Sequence, residues 1–292
     1  MLAKNFYKRK WLNDNECDVL IVVEHTVREL ESAMLIKKRL EEQNIKVIID
    51  SPKWNINRLP ILYKPKCVLV PWVYSEKEFD VWKHFKNQFG ERSVIINLHH
   101  EQITGQNNIK WILPNNESSK VYHLCWGKDY YNSIDKLVPK NSRLLFGSVR
   151  LELIKSNGYD KNILFKQYGL NPKKKTILFL ANSFHLQTDS EVSFFESNGL
   201  KLKDLSESGK NNTRDALLAF RSLMKEEEDC QIIYRPHPSM IDREKNHGLL
   251  QDIAQEFPDN FKVIGDFSLH HWIKVVNLVV TFHSTGFTTL IQ

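Results

Sequence analysis

The side chains with chemistry to offer lie where short apolar runs give way to small, basic or imidazole residues. Residues 231–234 (QIIY) read as a strand, and Arg235, Pro236, His237, Pro238 and Ser239 follow it. A cation and an imidazole on a loop stiffened by two prolines suit an anion, because proline fixes φ and cannot extend a ladder. Residues 278–282 read as a second strand, emptying into Ser284, Thr285 and Gly286. Hydroxyls at a helix N-terminus cap the helix or hold an oxyanion, and a glycine there lets the backbone approach a ligand. A third run, 176–181, ends in Asn182 and Ser183, residues of the kind that border a ligand cleft. In the N-terminal half, residues 93–98 open into His99, His100, Glu101 and Gln102. Two imidazoles and a carboxylate at a strand end make an acid/base cluster, since partial burial tunes such groups toward neutral pH. The same spacing also suits an ordinary polar loop. No second ligand pair accompanies these residues, so no metal site is expected.

The elements that must position these residues alternate regularly. Strand-like runs at 18–24 (DVLIVVE), 46–49, 67–71, 93–98, 121–126 and 144–149 are interleaved with helical patterns at about 27–43 and 76–89 and a helix-like 128–137. The near-continuous apolar run DVLIVVE marks a parallel strand buried on both faces. A polar stretch through 157–175, with Asn171-Pro172 and a lysine triplet, is the best boundary in the chain. The alternation then resumes with strands at 176–181, 231–234, 262–265 and 278–282, and with helices at about 213–228 and 247–257. Residues 184–212 show no period and read as an irregular active-site loop. This rhythm predicts an α/β protein of two doubly wound parallel-sheet lobes, 1–157 and 158–292. In such sheets, ligands sit beyond the carboxyl ends of the strands.

Composition narrows the field. With 41% hydrophobic and 26% charged residues, the chain can bury a sizeable core. A net charge of +6, spread along the chain, suits a small anionic ligand and carries no nucleic-acid motif. No run approaches a membrane span and the N-terminus lacks a signal-peptide core, which predicts a cytoplasmic protein. The basic and aromatic opening KNFYKRKWL reads first as a solvated leader. Its alternative is peripheral association with the inner face of the cell membrane. The cysteines at 17, 67, 125 and 230 have no paired spacing, so neither a disulfide nor zinc is expected. No Gly-x-Gly-x-x-Gly follows a strand, and Gly209-Lys210 lacks the rest of a P-loop.

The motifs NLHHEQ (97–102), CWG (125–127), FGSVRLEL (146–153), YRPHPS (234–239) and HHWIKVVNLVVTFHSTGFTTL (270–290) together resemble the GT-B glycosyltransferases. Within them, the likeness is to bacterial surface-carbohydrate biosynthesis proteins related to the capsule, teichoic-acid and Kdo-type enzymes. The resemblance implies two Rossmann-like lobes, with the acceptor on 1–157 and the nucleotide donor on 158–292. It implies that His237 meets the donor phosphate and helps the nucleotide leave, with Arg235 adding charge. Ser284 and Thr285 would hold the same phosphate, bordered by Ser239, Asn182 and Ser183. Glu101 would be the acceptor-activating base, with His99 and His100 as alternatives. The implied donor is a nucleotide-activated sugar or alditol phosphate, CMP- or CDP-linked, and the acceptor a surface-polysaccharide or lipid-linked glycan. Neither cofactor nor metal is required, because a cation, an imidazolium and a helix N-terminus can stabilise a departing phosphate. The sequence departs from the family by stopping at Gln292, so the second lobe reads as incomplete. Two rivals share the fold: a sugar-nucleotide epimerase and a non-catalytic nucleotide- or sugar-binding remnant.

Overall fold

The computed structural model describes residues 16–52, 58–73, 93–100, 120–155, 160–182, 202–238 and 247–282, with 82–83, 85, 102, 188, 193 and 240–244 between them. The predictions that fall on Glu101, Ser183, Ser239, Ser284, Thr285 and the helix after Thr285 lie outside these residues. The chain divides into two compact units, Met1–Lys155 and Ser156–Gln292.

Unit 1 is a six-stranded sheet in the order β2-β1-β3-β4-β5-β6, formed by β1 (Val19–Val22), β2 (Val47–Asp50), β3 (Cys67–Val70), β4 (Val94–Asn97), β5 (Tyr122–Cys125) and β6 (Arg143–Leu145). Every neighbouring pair is parallel. Alternation along the strands feeds two cores. Leu20, Val22, Val68, Val70 and Ile95 pack with Leu59, Trp82 and Phe85 on one face. Val19, Ile21, Val47 and Leu69 pack with Ala33 and Leu40 on the other. The second set comes from α1 (Glu31–Glu41), which is entered through a π-helical turn, Thr26–Leu30. Asn44 ends that helix with φ of 62°, and Ile45 N–H reaches back to the Leu40 carbonyl at 3.1 Å. This is the left-handed closure that asparagine tolerates better than most residues. The described residues of the unit also form the short helices α2 (Leu59–Leu62), α3 (Lys128–Ser133) and α4 (Val149–Lys155). The strand expected over 144–149 is shorter than its apolar run, because the chain leaves the sheet after Leu145 and is helical again by Val149.

Unit 2 opens with α5 (Lys161–Gln167), capped by Asp160, whose Oδ1 accepts the N–H of Asn162 at 2.7 Å. Its four-stranded parallel sheet has the order β10-β7-β8-β9, from β7 (Lys175–Leu180), β8 (Cys230–Arg235), β9 (Phe261–Val263) and β10 (Leu278–Thr281). One face packs Phe179, Ile232 and Tyr234 against α6 (Leu202–Glu226) and, after the short α7 (Ile241–Glu244), α8 (Gly248–Glu256). The other packs Leu178, Leu180 and Ile233 against α5 and Trp272 of α9 (Leu269–Ile273). Helix α6 corrects the sequence reading: it starts at Leu202, inside the segment expected to be irregular. Its buried stripe continues N-terminally as Ser206, Gly209 and Thr213, small residues that carry no apolar period. Among the described residues, no helix is long and apolar enough to cross a membrane.

Candidate functional site

Strand order fixes where each unit can bind a ligand. In a doubly wound sheet, the crevice opens at the carboxyl edge where the order reverses, since the two chains leaving there diverge to opposite faces. In unit 2 the reversal falls between β7 and β10. Leu180 pairs with Arg235 on one side and Thr281 on the other, so the segments leaving β7, β8 and β10 emerge from one edge.

Asn182 and His237 leave that edge from adjacent strands, and the Ala181 N–H still donates to the Arg235 carbonyl at 3.0 Å. Asn182 is buried and His237 half-buried. The His237 carbonyl accepts the Met240 N–H at 2.8 Å, which closes a turn with Pro238 at its second position. Proline favours that position because its φ is already set.

Arg235 is 7% exposed. Its Nη1 donates to the Asp266 carbonyl at 2.8 Å and its Nη2 to the Phe267 carbonyl. Phe267 has a φ of 59°, and the Trp272 indole N–H also donates to the Asp266 carbonyl, at 3.0 Å. The guanidinium therefore fastens the loop leaving β9 to the end of β8.

In unit 1 the loop after β4 turns inward. The Asn97 side chain accepts the His99 N–H at 3.0 Å and donates to the Val73 carbonyl at 3.2 Å, and His99 takes a φ of 48°. Such a side-chain turn folds the backbone over, and both imidazoles are buried. His99 Nε2 lies 2.7 Å from His123 Nδ1, and the Tyr130 hydroxyl lies 3.1 Å from His99 Nδ1. Burial, and then His123 and His100, push the His99 pKa well below its ordinary value. Burial also pulls His100 down to about 4, against a raising influence from Glu29. The Gln102 amide ties the same loop to β5, donating to the Leu124 carbonyl at 2.6 Å and accepting the Trp126 N–H at 2.9 Å.

A cluster that sequence reasoning missed lies at the reversal of unit 1, between β1 and β3. Glu29, on the π turn, is 1% exposed. Its Oε2 accepts the N–H groups of Glu24 at 2.7 Å and His25 at 3.3 Å, while Oε1 accepts Arg28 Nη2 at 2.8 Å and Nε at 3.0 Å. This is the reach-back bond of a capping box, moved one residue on by the wider turn. Burial alone would raise the Glu29 pKa. His100, then the Arg28 guanidinium and its hydrogen bond, and the Glu24 N–H together outweigh it and hold the carboxylate below its ordinary range. His100, titrating near 4, is neutral at physiological pH. Glu24 itself is half-exposed, with Oε2 accepting the Trp72 indole N–H at 2.7 Å. The sequence signal was available: a Glu-His pair at the end of the first strand, five residues before a Glu.

No protein-family model matches the sequence, and no characterised relative is found by sequence. Solved structures do match. MnaA of S. aureus, solved with UDP, superposes with a TM-score of 0.56 at 14% identity, covering 93% of this chain and 74% of its own. The wall teichoic acid polymerase TagF with CDPG gives a TM-score of 0.57 at 10% identity, covering 98% and 71%. The Methanocaldococcus jannaschii UDP-GlcNAc 2-epimerase with UDP-GlcNAc and UDP gives 0.52 at 12% identity, covering 91% and 78%. At these identities the likeness establishes the fold: two parallel α/β units of the GT-B type, as the sequence motifs implied.

Proposed function

We propose that this chain is a GT-B transferase that moves a sugar or alditol phosphate from a nucleotide-activated donor to a surface-polysaccharide or lipid-linked acceptor, without a metal. The observation that carries the reading is the convergence of β7, β8 and β10 at the reversal of unit 2, with Leu180 bridging Arg235 and Thr281. The donor phosphate binds at that edge, with Asn182 and His237 beside it. Ser183, Ser239, Ser284 and Thr285 complete the set. His237 stabilises the charge that develops on the departing phosphate and Arg235 holds the loop pair that frames it. On unit 1, Glu101 takes the acceptor proton.

The donor is cytidine-type, CMP- or CDP-linked, in line with the CDPG-bound TagF. Two of the similar structures carry UDP, so the base is the part of the reading to test first. Thermal-shift titration with CDP, UDP and GDP is expected to rank CDP first, and an equal shift by UDP would reject the base assignment. Product analysis with CDP-glycerol and UDP-N-acetylglucosamine, each with and without an acceptor, tests the reaction. Transfer needs the acceptor, whereas an epimerase converts the donor alone. Peripheral contact with the membrane would bring a lipid-linked acceptor to unit 1.

A further inference from the structure

The loop after β1 occupies the reversal of unit 1, where a doubly wound sheet ordinarily offers backbone N–H groups to a phosphate. Here two of those groups, on Glu24 and His25, are already engaged. The N–H groups of Glu24 and His25 and the guanidinium of Arg28 all converge on the Glu29 carboxylate, so the protein supplies its own anion. We propose that this edge binds an uncharged polyhydroxylated ligand through Glu24, and that Glu29 keeps phosphate out by filling the anion nest itself. The proposal deepens the acceptor half of the reading above and rests on it.

Three features favour a sugar or polyol. Glu24 stands on the ordered loop with its side chain 32% exposed, and its Oε1 has no hydrogen-bond partner among the described residues. An ionised carboxylate is acceptor-only, so the groups it takes are hydroxyls or N–H donors. The indole of Trp72 fixes the other oxygen and is itself half-buried, its ring 5.5 Å from that of Trp82 and tilted 56° to it. It places an apolar ring beside the acceptor oxygen, as the alternating C–H and O–H groups of a sugar require. His25 and Arg28 stand within 4.0 Å of the same Oε2, their side chains only 17% and 12% exposed. An incoming phosphate would meet two carboxylates with the Glu24 and His25 amides already engaged, whereas a neutral hydroxyl needs only Oε1.

The test is saturation-transfer NMR on the full chain with N-acetylglucosamine and glycerol as probes. The wild-type protein is expected to bind at least one, the signal to survive added inorganic phosphate, and E24Q to bind about tenfold more weakly or worse, the scale of a hydrogen bond to a charged group. Circular dichroism checks that E24Q folds. E24D, which keeps the charge but shortens the reach to Trp72, is expected to show the same loss and serves if E24Q does not fold. No signal with either probe, an unchanged signal in the Glu24 variants, or displacement of the probe by phosphate overturns the proposal. Calorimetry with CDP and UDP on the same samples separates this from the reading above. Loss of nucleotide binding by the wild type fails the donor assignment, while intact nucleotide binding with no sugar effect fails only the assignment of Glu24.

Discussion

His99 and His123 meet ring to ring inside unit 1, with Nε2 and Nδ1 2.7 Å apart and neither residue exposed. Two imidazoles at that distance share one proton and cannot both be charged. With His100 buried alongside, the loop carries imidazoles that are neutral in the folded protein.

Acid should therefore unfold unit 1 early. His100 titrates near 6.5 in the unfolded chain and at about 4 in the folded one. As pH falls, the unfolded chain takes up the proton first. Stability is intact above about 6.5 and is lost as pH drops through the folded value. For His100 alone, the loss by pH 4 is about 3 kcal/mol, and His99, displaced the same way, adds to it. Urea melts at pH 7.5, 5.5 and 4.5 should show the decline, and H100Q should flatten it. A wild-type stability constant across that range would mean that His100 is solvated.

His237→Ala should abolish donor turnover with little change in melting. The side chain is half-buried on a proline-closed turn, so truncation costs about 1 kcal/mol or less. Loss of a group that stabilises the leaving phosphate should lower kcat about 100-fold or more. A fall in Tm of many degrees, with turnover retained, would make His237 a packing residue.

Glu101→Gln separates binding from proton transfer. The amide keeps size and hydrogen bonding but accepts no proton, so CDP binding should be unchanged while transfer falls about 100-fold or more. Transfer at the wild-type rate would remove Glu101 from the mechanism. The buried imidazoles of His99 and His100 would then need an opening of the loop before they could replace it.

Gln231→Leu tests a buried staple distant from the carboxyl edge. The Gln231 amide donates to the Asn171 carbonyl at 2.7 Å and to the Thr176 hydroxyl at 2.8 Å, and accepts the Asn171 N–H at 3.0 Å. Leucine fills the space but takes the donor from the buried Thr176 hydroxyl and the Asn171 bonds with it, at about 1–3 kcal/mol for a buried group left unsatisfied. Chemical denaturation should show the loss. A neutral outcome would mean that water replaces the amide.

The strands were legible because parallel strands buried on both faces read as unbroken apolar runs, as Leu20 to Val22 and Ile232 to Tyr234 do. The first half of α6 was not, because Ser206, Gly209 and Thr213 form its buried stripe and look like a polar loop. Glu29 was missed for a related reason. On an ordinary helical wheel it is one more surface charge, and only the π turn carries it inward onto the Glu24 and His25 amides. The carboxyl-edge position of Arg235 and His237 could be read from a strand followed by prolines. The partners of Arg235 could not, since they are carbonyls about thirty residues away.

Those partners make Arg235→Lys the most discriminating substitution in unit 2. If Arg235 acts only as a positive charge near the donor phosphate, lysine preserves that charge, and CDP affinity should change little. The geometry predicts otherwise. Two nitrogens of one planar fork hold the carbonyls of Asp266 and Phe267 at once, and Phe267 sits at a φ of 59° that a side chain rarely adopts unaided. A single ammonium has no such fork. One of the two carbonyls should then lose its charged donor, costing about 1–3 kcal/mol. The loop after β9 should loosen, and donor affinity should fall with it despite the conserved charge. Urea denaturation measures the first effect and calorimetry with CDP the second. If R235K matches wild type in both, the guanidinium is not what fastens that loop.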